Sequence, residues 1–239
     1  ASARAADHVI TVSEQTRRDV IDIFGVEEER VTTVYQGCSE RFAQIQPEEV
    51  TAARQALRLP QRYMLFVGSI EERKNLLLAV EALAQLQDKE LHLVAVGRRT
   101  PYVQQVLDRA RRLGVTSRLH LLHQVGATYL PGIYGGAEVF VYPSRFEGFG
   151  IPIIEALNAG VPVIGATGSC LEEAGGPTSL YTDPDNADML ASLIDRVLID
   201  ISLRRLMIDE GRSYVERFTP KRIARDLSQV YEQVMLTYE

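Results

Sequence analysis

The sequence predicts an α/β fold built on a doubly wound parallel sheet, preceded by a shorter strand–helix–strand fragment. Three observations carry this. From Tyr63 onward, six short apolar runs alternate with segments of helical period. Those runs are continuous Val, Ile, Leu and Phe rather than alternating apolar and polar, the pattern of strands buried on both faces. Early runs stop at glycine, at Gly68 and Gly97, where a chain leaves a strand for a loop. Six such units suit a sheet of order 3-2-1-4-5-6.

Element by element, residues 8–12 read as a strand. Ser13 can cap the helix Glu14–Phe24, and Gly25 can end it. A second strand covers residues 31–35, an aperiodic linker residues 36–47, and a helix residues 48–57. Then come a strand at 63–67 and a helix at 75–86; a strand at 91–96 and a helix at 102–113; a strand at 118–122 and a helix at 128–135. A strand at 138–142 leads to a helix at 151–159. A strand at 161–164 leads through a loop and short turn to a strand at 179–181. Helices at 186–199, 202–217 and 221–238 close the chain. The organisation expected is a fragment plus linker over residues 1–46, a ligand-binding domain over 47–220, and a closing helix over 221–239. Alone, the fragment cannot cover both faces of its strands, so it must dock on this domain or on another.

Composition narrows the function. At 239 residues the chain is one large domain or a domain plus a piece. A hydrophobic share of 46% and a charged share of 24% exclude wholesale disorder. No apolar run approaches the roughly 20 residues of a spanning helix. Residue 1 is Ala, which points to processing or to a piece of something longer, and Ala1–Ala6 has no apolar core of a signal peptide. The net charge of −6 argues against nucleic acid as a partner. Two cysteines, Cys38 and Cys170, without paired spacing exclude a zinc ribbon and a disulfide framework and fit a reduced, cytoplasmic compartment.

In an open parallel sheet, ligands bind beyond the carboxyl ends of the strands. After the first strand of the large sheet lies Gly68-Ser69-Ile70-Glu71-Glu72-Arg73-Lys74-Asn75. It lacks the glycines of a dinucleotide fingerprint, but it sets two cations before a helix that Asn75 can cap. Arg73 and Lys74 can grip phosphate oxygens. Taken alone, the commoner case is a solvated turn whose four charges neutralise one another. After the fourth strand lies Pro143-Ser144-Arg145-Phe146-Glu147-Gly148-Phe149-Gly150, then Ile151-Pro152-Ile153-Ile154-Glu155. Gly148 and Gly150 allow close backbone approach, Pro152 suits a first helical turn, and the helix start offers free amides to an anion. Glu155 is expected in that first turn. Two carboxylates beside an anion site make sense if each accepts hydrogen bonds from hydroxyls, such as those of a ribose and a hexose. The plain alternatives are dipole compensation for Glu155 and an exposed loop acid for Glu147. The small-residue loop at residues 165–173 reads alone as ordinary loop chemistry.

Together these segments resemble the retaining glycosyltransferases of family 4, in the large GT-B class. Glu147 and Glu155 stand as in its E-x7-E segment, and residues 67–75 look like its phosphate loop. Ala137-Glu138-Val139-Phe140-Val141-Tyr142-Pro143-Ser144 is similar to its A-D-V-F-V-x-P-S strand. Ala159-Gly160-Val161-Pro162-Val163-Ile164 matches its A-x-G-x-P-V-I run. Residues 6–14 resemble the last strand–helix unit of its N-terminal domain. The implied fold is Rossmann-like, the C-terminal half of GT-B, with a fragment of the N-terminal acceptor domain; the last helix resembles the segment that crosses back towards that domain.

The resemblance implies roles. Glu155 would bind the ribose, and Glu147 the donor sugar. Arg73 and Lys74 would neutralise the diphosphate and so stabilise the leaving group. Amides of Gly148, Phe149 and Gly150 would touch sugar or phosphate, and the Val125 backbone the base. Gly68 and Ser69 would line the phosphates, although many members carry Arg where this chain has Ser69, which shifts the burden to Arg73 and Lys74. The Arg-Lys-Asn form is familiar among mannosyltransferases and favours GDP-mannose, with UDP-linked sugars the other donor class.

No cofactor and no metal are implied: Asp183-Pro184-Asp185 has the spacing of an Asp-x-Asp pair but follows the last strand and reads as a turn cap. The four histidines show no ligand spacing. His123 could reach the pocket rim; His8, His92 and His120 read as strand residues with local partners. The implied partners are a nucleotide-diphosphate sugar and, through the N-terminal domain, a glycan or lipid-linked acceptor, with peripheral membrane association of the parent protein and no nucleic acid. The competing classes are a non-catalytic sugar-nucleotide-binding module and a sugar-nucleotide epimerase of the same architecture.

Overall fold

The structure is a computed structural model and describes residues 2–236. Its elements, in chain order, are α1 (Ser2–Ala5), β1 (Val9–Thr11), α2 (Glu14–Phe24), β2 (Val31–Thr33), α3 (Pro47–Leu57), β3 (Tyr63–Val67), α4 (Leu76–Gln85), β4 (His92–Val96), α5 (Val103–Arg112), β5 (Leu119–Leu122), α6 (Leu130–Gly135), β6 (Val139–Tyr142), α7 (Ile151–Asn158), β7 (Val163–Ala166), α8 (Leu171–Gly175), β8 (Leu180–Thr182), α9 (Ala187–Ile199), α10 (Ile201–Val215) and α11 (Pro220–Leu236). Strands β3 to β8 form one parallel sheet of order β5-β4-β3-β6-β7-β8, the 3-2-1-4-5-6 order that the apolar runs predict. Right-handed crossovers then set α4 and α5 on one face and α6 and α7 on the other. Accordingly α4 packs on α5 and α9, while α7 packs on α8 and α10. The central strands are fully enclosed: Tyr63, Met64, Leu65 and Phe66 of β3 and Val139, Phe140 and Val141 of β6 all show 0% exposure. No helix among the described residues is long and apolar enough to cross a membrane.

Differences from the sequence reading have local causes. The expected strand at 161–164 is β7 at Val163–Ala166: Pro162 lends its carbonyl to Phe140 N (2.8 Å), but it has no N–H for the ladder. The loop at 165–173 includes the start of a short helix, α8. The linker is not featureless; a 3-10 turn at Glu40–Ala43 buries Phe42 in the main core. The last helix begins at Pro220, and its expected end at Tyr238 lies outside the described residues.

The N-terminal fragment has a small core of its own, Val20, Val26 and Val31, beneath the parallel β1–β2 pair. It also docks on the large sheet's domain. The first amides of a helix lack intrahelical acceptors, and side chains satisfy three of them in α2 before the regular bonding begins at Arg17. Glu173, on α8, accepts from Glu14 N (2.7 Å) and Gln15 N (2.9 Å). Ser13 Oγ accepts from Thr16 N (3.1 Å), and the Ser13 carbonyl from Arg17 N (3.0 Å). Ser13 is the cap the sequence suggests, and Gly25 closes the helix in the left-handed conformation (φ 61°).

Two predictions follow from these contacts. A Cβ on Gly97 would stand 1.8 Å from the Gly68 carbonyl oxygen, a backbone atom that cannot swing away. Gly97→Ala should therefore cost about 3 kcal/mol and lower Tm by roughly 6–12 °C, read by calorimetry; an unchanged Tm would show that β3 and β4 can spread freely. Glu173→Ala should speed hydrogen exchange at the Glu14 and Gln15 amides by roughly tenfold or more, as expected for lost charge-assisted bonds, with β3–β7 amides unaffected. Equal exchange in both proteins would mean that another group holds α2.

Candidate functional site

The sheet order makes the loops after β3 and β6 neighbours although they lie some 70 residues apart in sequence, and β3/β6 is where the direction of winding reverses. The first loop makes a 3-10 turn at Glu72–Lys74, closed by Asn75 in the left-handed conformation (φ 57°). Asn75 does not cap α4 with its side chain, contrary to the sequence reading. Its amide donates across the site to the carbonyls of Pro143 (3.1 Å) and Pro184 (2.7 Å), tying the loops after β3, β6 and β8 together. Arg73 O accepts from Arg145 N (2.9 Å) and Ser144 Oγ (3.2 Å), and the Arg73 guanidinium reaches the Phe146 carbonyl.

At the junction sits Glu147. Its Oε1 accepts from Lys74 Nζ (2.8 Å), Ser144 Oγ (2.8 Å) and Tyr142 Oη (3.1 Å), and its Oε2 lies 3.1 Å from Arg73 Nη1. Lys74 and Glu147 side chains are each only 12% exposed, and Lys74 also reaches Tyr142 Oη at 2.7 Å. Burial alone would raise the Glu147 pKa; Lys74, Ser144 and Arg73 outweigh it and hold the carboxyl below its ordinary value. The charges of the first loop thus do not simply cancel among themselves. Arg73 does pair with Glu71 (2.9 Å), but the partner of Lys74 comes from the other loop. Nor is Glu147 an exposed loop acid.

Glu155 lies eight residues further on, as the fifth residue of α7, hence in its second turn and not the first as the sequence suggests; the first turn holds no acid. Dipole compensation, which fades within the first turn, does not account for it. Tyr134 Oη donates to its Oε2 at 2.8 Å, and Glu155 has no ion-pair partner among the described residues. Burial pushes its pKa up to about 6, against the smaller opposing effect of Tyr134. The pKa values of two glutamates of one segment are therefore shifted in opposite directions.

The intervening loop is pinned from below. The buried Cys170 thiol donates to the carbonyls of Glu147 (3.1 Å) and Phe149 (3.0 Å). The Phe149 ring packs against Tyr35 and Phe218, at centroid distances of 5.4 and 5.2 Å, so only its backbone can meet a ligand. Gly150 has φ 138°, a conformation that L side chains rarely adopt, and is the residue just before α7. Gly148 is exposed, and its carbonyl accepts from Thr16 Oγ1 of α2 (3.3 Å).

Gly68 N donates to Val96 O (2.9 Å), and a Cβ on Gly68 would stand 2.9 Å from Lys74 Cδ; Ser69 O accepts from Glu71 N (3.0 Å). Val125 is half-buried after the edge strand β5, which β4 and β3 separate from the strand that leads to both glutamates. Nearby, His123 Nδ1 donates to Gly97 O (2.8 Å). His92 bonds His120 between strands β4 and β5, as expected, whereas His8, read as a strand residue, lies just before β1, where it bonds Thr32. Asp185 pairs with Arg145 (2.6 Å), and Asp183 caps its turn. No group of three or more metal-capable side chains occurs among the described residues. A cavity of about 480 Å³ opens away from these loops, between the linker and the α10–α11 junction, lined in part by Cys38, Asn158 and Arg212.

Sequence reasoning gave no role to Tyr134, Tyr142, Ser144 or Cys170. Tyr142 and Ser144 had a usable signal: polar atoms at a buried strand end must find partners. Tyr134 and Cys170 had none.

Comparison with known proteins identifies the family and the fold. The family model described as "Glycosyl transferases group 1" matches residues 48–214. The chain is 32% identical over 225 residues to O-antigen chain mannosyltransferase B of Escherichia coli, covering 91% of this chain and 58% of the relative. An uncharacterized glycosyltransferase of Methanocaldococcus jannaschii is 29% identical over 240 residues, covering 95% and 60%. The chain thus spans about 60% of the length of these relatives. Among solved structures, Anabaena Alr3699/HepE in complex with UDP and glucose superposes with a TM-score of 0.89 at 21% identity, over 97% of this chain and 65% of that one, and shares the GT-B fold. On the strength of the match over residues 48–214, this chain belongs to the glycosyl transferases group 1 family.

Proposed function

We propose that this chain is the donor-binding part of a glycosyltransferase that moves a hexose from a nucleotide-diphosphate sugar to a glycan or lipid-linked acceptor, with retention at the anomeric carbon. One observation carries the reading: at the β3/β6 switch point, Arg73 and Lys74 converge on one ionised carboxylate, Glu147, and the same segment carries a second carboxylate, Glu155, whose only side-chain partner among the described residues is a phenol. The cations meet the charge that develops on a departing nucleoside diphosphate. Glu155 offers its remaining acceptor capacity to ribose hydroxyls, and Glu147 faces the sugar once the diphosphate has engaged the cations. The amides of Gly148, Phe149 and Gly150 complete the sugar and phosphate contacts, Gly68 and Ser69 line the phosphates, and the Val125 backbone meets the base. GDP-mannose is the donor we favour, on the Arg73-Lys74-Asn75 form and on relatives named as mannosyltransferases; UDP-linked sugars are the competing class. Residues 1–46 are assigned to the acceptor domain, and α11 to the segment that returns to it. The free thiols Cys38 and Cys170 fit a cytoplasmic setting. Transfer needs an acceptor held in near-attack geometry, so the chain alone should bind donor and transfer little.

Calorimetry with GDP, UDP and their sugars tests the reading; absence of binding to every one of them by the folded chain would sink it. Glu155→Ala should weaken nucleotide binding by roughly 1.5–3 kcal/mol, and unchanged affinity would remove Glu155 from the ribose. Lys74→Ala should weaken GDP by a similar amount, roughly 1.5–3 kcal/mol, and guanosine hardly at all; equal losses for both would mean that Lys74 does not face phosphate.

A further inference from the structure

Tyr134 lies 21 residues before Glu155 in sequence and outside every motif, yet it is fully buried with its hydroxyl at 2.8 Å from Glu155 Oε2. Its ring cannot drift. Phe42 from the linker meets it edge-on at 5.3 Å, and Phe140 of β6 lies at 5.5 Å. A second, longer contact joins the hydroxyl to the Pro152 carbonyl in the first turn of α7 (3.4 Å). The phenol is therefore a fixed donor, and it takes one of the two carboxylate oxygens. The other, Oε1, has no hydrogen-bond partner among the described residues and keeps some exposure, since it is not among the buried unpaired atoms. A carboxylate held at one oxygen and open at the other is oriented without being consumed.

We propose that Tyr134 is a positioning residue: its hydroxyl fixes Oε2 of Glu155 so that Oε1 is presented to the sugar hydroxyls of the nucleotide. This rests on the assignment of Glu155 to those hydroxyls. The bond also has an electrostatic effect of known sign. Burial raises the Glu155 pKa and the Tyr134 hydrogen bond opposes it, with a balance at about 6. Without that donor the carboxyl titrates higher, and less of the acceptor form exists near neutrality. The other ionisable groups facing Glu155 are the Cys38 thiol of the linker and the Tyr142 phenol of β6, with Tyr134 itself. Burial pushes Cys38 up to about 11 and both phenols above their ordinary range, so all three stay neutral while Glu155 titrates.

The test is Tyr134→Phe in the full chain, which removes one oxygen from a ring that Phe42 and Phe140 still hold. Carbon-13 NMR of the Glu155 carboxyl in the nucleotide-free protein should show a midpoint about one pH unit or more above the wild type. Affinity for GDP and UDP should fall at both pH values, because the orienting bond is gone, and several-fold further at about pH 6.5 than at about pH 8.5, where Glu155 is ionised in both proteins. A merely structural role for Tyr134 would instead lower affinity equally at every pH and leave the carboxyl midpoint in place; either result overturns the proposal. In the wild type, the buried Tyr134 hydroxyl proton should shift with the Glu155 midpoint, and a hydroxyl resonance indifferent to that titration would equally overturn it. Glu155→Ala separates the two assignments: unimpaired binding in that variant refutes the ribose role, whereas loss of binding there with no midpoint shift in Tyr134→Phe refutes only the positioning role.

Discussion

The ion pairs that join Lys74 and Arg73 to Glu147 organise the carboxyl end of this sheet. Two like charges in adjacent positions of one turn repel, and a lysine enclosed to 12% exposure needs a counter-charge. The nearest acid in sequence does not supply it; an acid on the loop after β6 does. That choice requires β3 and β6 to be neighbours, so the doubly wound order is a precondition of the site's electrostatics. Asn75 and Ser144 then lock the two loops by hydrogen bonds to backbone carbonyls. Removing one partner of a buried pair costs about 3–5 kcal/mol, so the cations exchange Glu147 only for another anion. A diphosphate is such an anion, and its arrival would release the carboxylate.

The two glutamates show that environment, not residue type, sets chemical character. Glu147 sits among two cations and two hydroxyls and is held ionised. Glu155 sits against a phenol, a thiol and the body of α7, and burial dominates. They are parts of one loop-and-helix segment, fixed by Cys170 beneath the loop and by Gly150 at the turn into α7. The thiol holds the loop from beneath, and glycine leaves its outer surface bare at Gly148.

The N-terminal fragment meets this segment directly. Glu173 takes the two leading amides of α2, Thr16 bonds the Gly148 carbonyl, and Tyr35 stacks against Phe149. A helix terminus and an aromatic cluster thus seat the fragment on the loop that carries Glu147. Exposed Ile23 and Phe24 on α2 leave apolar surface on that side.

The sequence by itself determined the architecture. Short continuous apolar runs between longer segments of helical period read as strands covered on both faces, and their alternation with helices left one economical topology, with its loops at one edge. It also identified local devices whose partners lie within one turn: the Ser13 cap, the Gly25 stop and the Asp183 turn. The tertiary structure decided everything that depends on partners distant in the chain. Asn75 looked like a helix cap and instead bridges three loops, to carbonyls 68 and 109 residues away. Phe149 looked like part of a ligand loop and has a core side chain. Glu155, expected in the first helical turn, is the fifth residue of a helix that starts at Ile151 as read, and so falls in the second turn. Lys74 found Glu147, and Glu155 found Tyr134. Periodicity records which side of an element is buried, because burial acts on each residue separately. Pairing between charges and hydroxyls depends on distance in space, and only the packed sheet supplies that distance.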